Sequence, residues 1–306
     1  LKWGVILEVD AVFSGGGIKA YAFLGVLESM ENKGLEIRRC AGTSAGAIVA
    51  ALIAAGYKNK EIFELISNLE LTKFIDPPVI TKIFPLSKWF YIYFKLGINK
   101  GDILEAWLYE HLANKNVYTF KDLHLETLKI VVSDISLGKL VVIPDDLKRI
   151  YDINPDYFSV SKAIRMSAGF PYFFMPKQIP NLTSRKSLIV DGGLLSNFPL
   201  WIFEKEREIN QRPVLGIKLE EVKNSQLGES PSTSINNAID MFYALFSTMK
   251  QAHDTRYISK SEKNNIITIP VENQHATNLH INNETKERLI QSGREHAEKF
   301  LKFWPK

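Results

Sequence analysis

The chain has 306 residues, 45% of them apolar and 24% charged, which is enough hydrophobic material for one large α/β domain and too much for a disordered chain. Its formal net charge of +4 gives no nucleic-acid footprint but permits attraction to an anionic surface such as lipid headgroups. The single cysteine, Cys40, excludes an intrachain disulfide. No secretory leader is legible at the start, where Lys2, Glu8 and Asp10 interrupt the apolar residues, so a cytoplasmic location, with membrane association left open, is expected.

The first predicted strand, over 9–13, runs into Ser14-Gly15-Gly16-Gly17, after which a helix extends to near Gly34. Two chemistries use this shape. Gly15, Gly17 and Ala20 fit the G-x-G-x-x-G/A spacing of a dinucleotide site, where bare backbone and a helix N-terminus hold a pyrophosphate. The same backbone N–H groups also suit the oxyanion of a tetrahedral acyl intermediate. The second predicted strand, over 37–41, weighs against the dinucleotide, because it ends in Arg38-Arg39-Cys40-Ala41 rather than in an acidic residue. It continues into Gly42-Thr43-Ser44-Ala45-Gly46 and then an alanine-rich helical run stopped by Gly56.

A serine in a G-x-S-x-G frame between strand and helix reads as a nucleophile elbow. Gly42 and Gly46 remove Cβ atoms from a sharp turn and leave the Ser44 hydroxyl projecting above the sheet. Cys40, on the strand before the elbow, is expected to be a small core hydrophobe. The uncharged stretch 40–57 approaches the length of a membrane span, but its glycines and alanines point to a tightly packed interior helix after a turn.

Further along, 74–100 holds Phe84, Trp89, Phe90, Tyr91, Tyr93 and Phe94 beside Lys82, Lys88, Lys95 and Lys100, with no acidic residue between Asp76 and Asp102. Such a segment suits contact with an anionic membrane surface or a lid over an acyl pocket. A helix that packs its rings into the core and points its lysines to water has the same pattern. Strands over 128–133 and 139–143, joined by a short turn, predict an antiparallel portion of the sheet. A strand over 187–190 then ends in Asp191-Gly192-Gly193, and an aspartate at a third strand end can meet the glycine loop and the serine at the carboxyl edge of the sheet. Strands over 214–219 and 266–270 follow, separated by a polar stretch over 223–234 that reads as a surface loop. The alternation predicts an α/β fold whose mostly parallel sheet is covered by helices on both faces.

In order, a glycine-rich loop, a G-x-S-x-G elbow and an Asp-Gly-Gly make the chain resemble the patatin-like phospholipases of bacterial type. The block Ala163-Ile164-Arg165-Met166-Ser167-Ala168-Gly169-Phe170-Pro171-Tyr172-Phe173-Phe174 is similar to the helix-then-proline segment of that family. The resemblance implies one domain over 1–306 with its motifs within 9–200, a three-layer α/β/α fold and a lipid acyl hydrolase that uses neither metal nor cofactor. It also implies a catalytic dyad of Ser44 and Asp191, with Gly15, Gly16 and Gly17 as the oxyanion hole. Lys19, Gly42, Gly46, Gly192 and Gly193 support the site.

The chain departs from the family pattern at Lys19 and Ala20, where arginine and glycine are usual, and lysine keeps the charge but loses the bidentate fork. Asp191 must be partly desolvated to act as a base, with its orientation fixed by neighbours such as Gly193 or Asn197. The six histidines share no frame. A Ser-Asp-His triad through His253 or His275 fits the chain order of α/β-hydrolases, and a lipid-binding protein without turnover is the non-enzymatic alternative.

Overall fold

The structure, a computed structural model, describes residues 7–182, 185–203, 212–221, 235–257, 262–272 and 279–305. The polar stretch 223–234 lies outside these residues. Strands buried on both faces read as near-continuous apolar runs, and the strand β1 (Leu7–Phe13), buried from Val9 onward, is one of them. It lies between β2 (Leu35–Thr43) and β9 (Val214–Glu221) and is parallel to both. The one charge inside this run, Asp10, is neutralised by Arg39 of β2 at 2.6 Å and by Arg212 at 3.2 Å. Such pairing is what a carboxylate buried in the middle of a sheet requires.

The main sheet runs β10-β9-β1-β2-β4-β8-β7, with β5 also paired to β4. Here β4 is Leu128–Asp134, β5 is Lys139–Ile143, β7 is Lys177–Pro180, β8 is Lys186–Asp191 and β10 is Ile266–Val271. From β10 to β4 every neighbour is parallel, whereas β5, β8 and β7 are antiparallel. All seven strands expected from sequence form, and the turn between β4 and β5 makes the expected antiparallel pair. Three short strands were not legible: β7, and the separate two-stranded sheet of β3 (Gly97–Asn99) and β6 (Tyr172–Phe174).

The junction around β4 decides where the site lies. Cys40 to Thr43 of β2 pair with Leu128 to Val131 of β4, and Asp191 to Ile189 of β8 pair with Val132 to Asp134. Because β5 overlaps both stretches, β2 and β8 occupy successive lengths of the opposite edge of β4. They run in opposite directions, so their carboxyl ends meet head-on between Val131 and Val132. This corrects the expectation of a shared carboxyl edge: Asp191 reaches Ser44 because an antiparallel strand ends where the parallel one turns away.

The helices are α1 (Ala22–Asn32), α2 (Ala45–Ala54), α3 (Asn59–Ser67), α4 (Val79–Ile83), α5 (Ser87–Lys95), α6 (Asp102–Ala113), α7 (Asp145–Tyr151), α8 (Val160–Ser167), α9 (Ala238–Tyr257) and α10 (Asn283–Leu301). The larger core joins Val9, Ala11 and Phe13 of β1 to α1, α2 and α8. On the other face Val12, Ala41, Val214 and Ile266 pack under Phe198, Leu200 and Phe203. Cys40 is buried in the larger core, as expected. The stretch 40–57 resolves into the end of β2, a turn and α2, and among the described residues no helix is long and apolar enough to cross a membrane.

The aromatic segment forms a flap anchored at its base. The Asp76 carboxylate accepts hydrogen bonds from the N–H groups of Gly101 and Asp102, both at 2.7 Å, and so closes the loop while capping α6. Arg165 of α8 donates to the carbonyls of Lys100 and Gly101 at 2.8 and 3.0 Å, and to that of Met175 at 3.1 Å. Burial holds this guanidinium at about 10, below its ordinary value. Above the base, no residue of α5 is buried. Trp89, Phe90 and Phe94 are 63%, 57% and 61% exposed, which rules out the core-packing reading of these rings.

Candidate active site

Ser44 sits in the turn from β2 to α2 with φ 54° and ψ −123°, a backbone conformation that L residues adopt only when the surroundings impose it. A Cβ at Gly42 would lie 2.4 Å from the Gly46 carbonyl oxygen, and one at Gly46 would lie 2.5 Å from that of Ser14. The two glycines are therefore required by close packing on both sides of the turn, as the elbow predicts. The strained turn is held from behind by Ser167 of α8, whose Oγ accepts from the Ser44 N–H at 2.9 Å and donates to the Val131 carbonyl at 2.6 Å. Thr43 Oγ1 adds a bond to the Ser196 carbonyl at 3.0 Å.

Asp191 is 3% exposed. Its Oδ1 accepts from the Gly193 N–H at 2.7 Å, and its own N–H donates to the Gly169 carbonyl at 3.0 Å. Burial pushes the carboxyl up to about 6, against the lowering effects of the Ser44 hydroxyl, the Gly193 N–H and the charge of Lys250. A carboxyl tuned in this way is ionised near neutrality, yet basic enough to take a hydroxyl proton. Gly192 lies against the backbone of β4, where a Cβ would come within 2.3 Å of the Val131 oxygen.

The N–H groups of the glycine loop differ in their partners. The Gly15 N–H donates to the Asn197 carbonyl at 2.9 Å and is thereby occupied. Gly16 and Gly17 line the cavity together with Ser44 and Asp191, and among the described residues no bond occupies their N–H groups. Gly17 has φ 56° and opens a short 3-10 turn ahead of α1. Lys19 is nearly buried and forms an ion pair with Glu221 at the end of β9. The lysine thus braces the glycine loop against β9, and Ala20 packs in the core.

The cavity above Ser44 has a volume of about 490 Å³, and Ile48, Leu71, Phe74, Leu104, Phe170 and Phe246 form apolar walls. Ligand sites are commonly cavities of this size with apolar walls and a few polar groups. Phe170 anchors one wall, with ring centroids 4.8 Å from Phe246 and 5.7 Å from Tyr243 of α9.

A family model for patatin-like phospholipase matches residues 11–204. The chain belongs to the patatin-like phospholipase family. Uncharacterized protein YqhO of Bacillus subtilis (strain 168) is 44% identical to it over 298 residues, 97% of this chain and 99% of that protein. Triacylglycerol lipase ptl3 of Schizosaccharomyces pombe (strain 972 / ATCC 24843) is 27% identical over 201 residues, 62% of this chain and 38% of the lipase. Among solved structures, VipD from Legionella pneumophila shares the fold with a TM-score of 0.55 and 20% identity, over 96% of this chain and 66% of VipD.

Among the described side chains of this patatin-like chain, no histidine lines the cavity. His111 packs edge-on to Trp107, and His296 bonds the Ser292 carbonyl. His124 and His280 are exposed. The His253 side chain and all of His275 lie outside the described residues. Sequence reasoning missed Ser167 and Lys250. Ser167 fell inside the flagged block 163–174, but a serine that braces a distant turn has no sequence frame. Lys250 enters the cavity from α9, a helix the glycine and serine motifs give no reason to place over the site.

Proposed function

We propose that this chain hydrolyses lipid carboxylic esters through an acyl-enzyme formed on Ser44, with Asp191 as the base. The observation that carries this reading is that Ser44 and the buried Asp191 line one cavity together with Gly16 and Gly17, at strand ends that meet on β4, with burial pushing the Asp191 carboxyl up to about 6. Asp191 takes the Oγ proton as the oxygen attacks the ester carbonyl carbon. The N–H groups of Gly16 and Gly17, with the positive end of α2, hold the oxyanion. As the tetrahedral intermediate collapses, the C–O bond to the alcohol breaks and Asp191 returns the proton to the leaving oxygen. Water then repeats the sequence on the acyl-enzyme, with Asp191 again accepting a proton, and the fatty acid leaves. The ligand is a lipid ester, not a nucleic acid, and the segment 74–100 makes contact with an anionic membrane surface.

Support for a dyad comes from Ser44 and Asp191 lining the same cavity, with the Ser44 hydroxyl among the groups that lower the Asp191 carboxyl against its burial. The competing triad rests on His253, three residues beyond the cavity-lining Lys250 on α9. A fluorophosphonate probe tests the nucleophile directly. It should label the wild-type protein at Ser44 and fail to label Ser44→Ala, while His253→Ala labels at an undiminished rate. Labelling that survives Ser44→Ala would sink the assignment.

A further inference from the structure

Among the described residues two apolar surfaces are exposed, and both adjoin the wall of the cavity. The flap is one: Phe74 precedes it, Leu104 follows it, and both line the cavity. Besides Trp89, Phe90 and Phe94 it exposes Val79, Ile83, Phe84 and Leu86. The second is on α9. Tyr243, Phe246 and Lys250 of that helix face the cavity, while Met241, Leu245 and Met249, four residues apart and so on one side, are 51%, 56% and 46% exposed.

One short segment joins the two surfaces. The flap returns through β3, which pairs with β6 by Gly97 to Tyr172 and Asn99 to Phe174. Tyr172 packs edge-on against Phe242 of α9 at 4.9 Å, beside the Phe170 contacts already described. The flap and α9 are therefore attached to the same cavity-lining strand. Extended apolar patches of this kind mark an interaction site.

The charge pattern selects the partner. Lys82, Lys88, Lys95 and Lys100 are exposed, no acidic residue lies between Asp76 and Asp102, and among the described residues none of the four lysines forms an ion pair. Protein interfaces are depleted in lysine. A bilayer surface instead accepts aromatic rings at headgroup depth, with lysine stems lying along the apolar zone and their ammonium groups among anionic phosphates.

We propose that the flap and the exposed side of α9 form one docking surface for an anionic lipid bilayer, which seats the cavity mouth on the membrane so that an acyl ester enters without crossing water. The membrane's role as a source of substrate rests on the hydrolase reading, but docking itself requires no turnover. The test is therefore made on Ser44→Ala protein by co-sedimentation with phosphatidylcholine vesicles, with and without phosphatidylglycerol. Binding should require the anionic lipid and weaken with salt. Trp89→Ser/Phe90→Ser and Leu245→Ser/Met249→Ser should each lower partitioning at least about tenfold with melting intact. Met241→Gln repeats the α9 arm with a milder change if the double variant unfolds.

Equal binding to neutral vesicles, or full binding by both α9 variants, overturns the proposal. So does a dimer that forms without vesicles and is dissolved by the same substitutions, because the surface would then be covered by a second copy. If Ser44→Ala docks normally but also keeps full esterase activity, the hydrolase mechanism fails and the docking surface stands.

Discussion

The strand junction beneath Ser44 and the flap above the cavity obey opposite constraints. At the junction, Gly42, Gly46 and Gly192 each face backbone within 2.3 to 2.5 Å of where a Cβ would sit, and Ser167, Thr43 and Asp191 are each tied to a backbone partner. In the flap, large rings stand in solvent and the order comes from the base, through Asp76 and Arg165. The junction depends on where atoms are. The flap depends on which residue types it displays. A substitution at the junction should therefore damage geometry, whereas one in the flap should leave the fold intact and alter only what the surface meets.

The largest effect that sharpens this contrast is on turnover. Ser44→Ala and Asp191→Asn should each lower kcat on a soluble ester by about 10⁴-fold or more, since members of a catalytic unit fail together. The next is on the fold. Gly46→Ala places a methyl group on the Ser14 and Phe13 carbonyls and should cost ~1–3 kcal/mol or more in denaturant unfolding, while Trp89→Ser stays within about 0.5 kcal/mol. A flap variant as damaging as Gly46→Ala would erase the distinction.

Ser167→Ala comes next, because it strips a partner from the Ser44 N–H and the Val131 carbonyl. It should cost about 1–3 kcal/mol, with a loss of activity as the elbow relaxes.

Asp191→Asn should also raise stability, which is the expected signature of a buried charge kept for function. The folded-state value of about 6 lies above the ordinary 3.8, so the folded protein holds this proton more tightly than the unfolded chain. The stabilisation is full below about pH 4 and is lost as pH rises through about 6. Above that, the amide should be more stable than the carboxylate by on the order of 1–3 kcal/mol. An Asp191→Asn protein that melts lower at pH 8 would argue against a strained, desolvated carboxylate.

The contrast also explains what could be read from sequence. The elbow, the glycine loop and Asp191 were legible because each sits where a strand pattern ends in residues that only a special backbone needs. Strand direction was not, since Ser187 to Val190 carries the same apolar pattern whichever way it runs, and direction is set by pairing with β4. β3, β6 and β7 span only three or four residues, too few for a period to emerge. The diversion of the Gly15 N–H to Asn197 is a contact across 182 residues that no local pattern encodes. The flap's rings and lysines were visible as composition, but whether they face core or solvent depends on what packs over α5, and among the described residues nothing buries any of its side chains.

The dyad is tested most directly by kcat/KM for a soluble ester from about pH 5 to about pH 9, in wild-type, Asp191→Asn and His253→Ala proteins. Histidine titrates close to the value of this buried carboxyl, so the variants decide between them. The account predicts an acid limb near about pH 6, absent from the residual activity of Asp191→Asn and unmoved in His253→Ala, whose activity stays clear of the ~10²-fold loss that removing a general base brings. An acid limb that vanishes with His253, or an Asp191→Asn enzyme that keeps full activity, would contradict it.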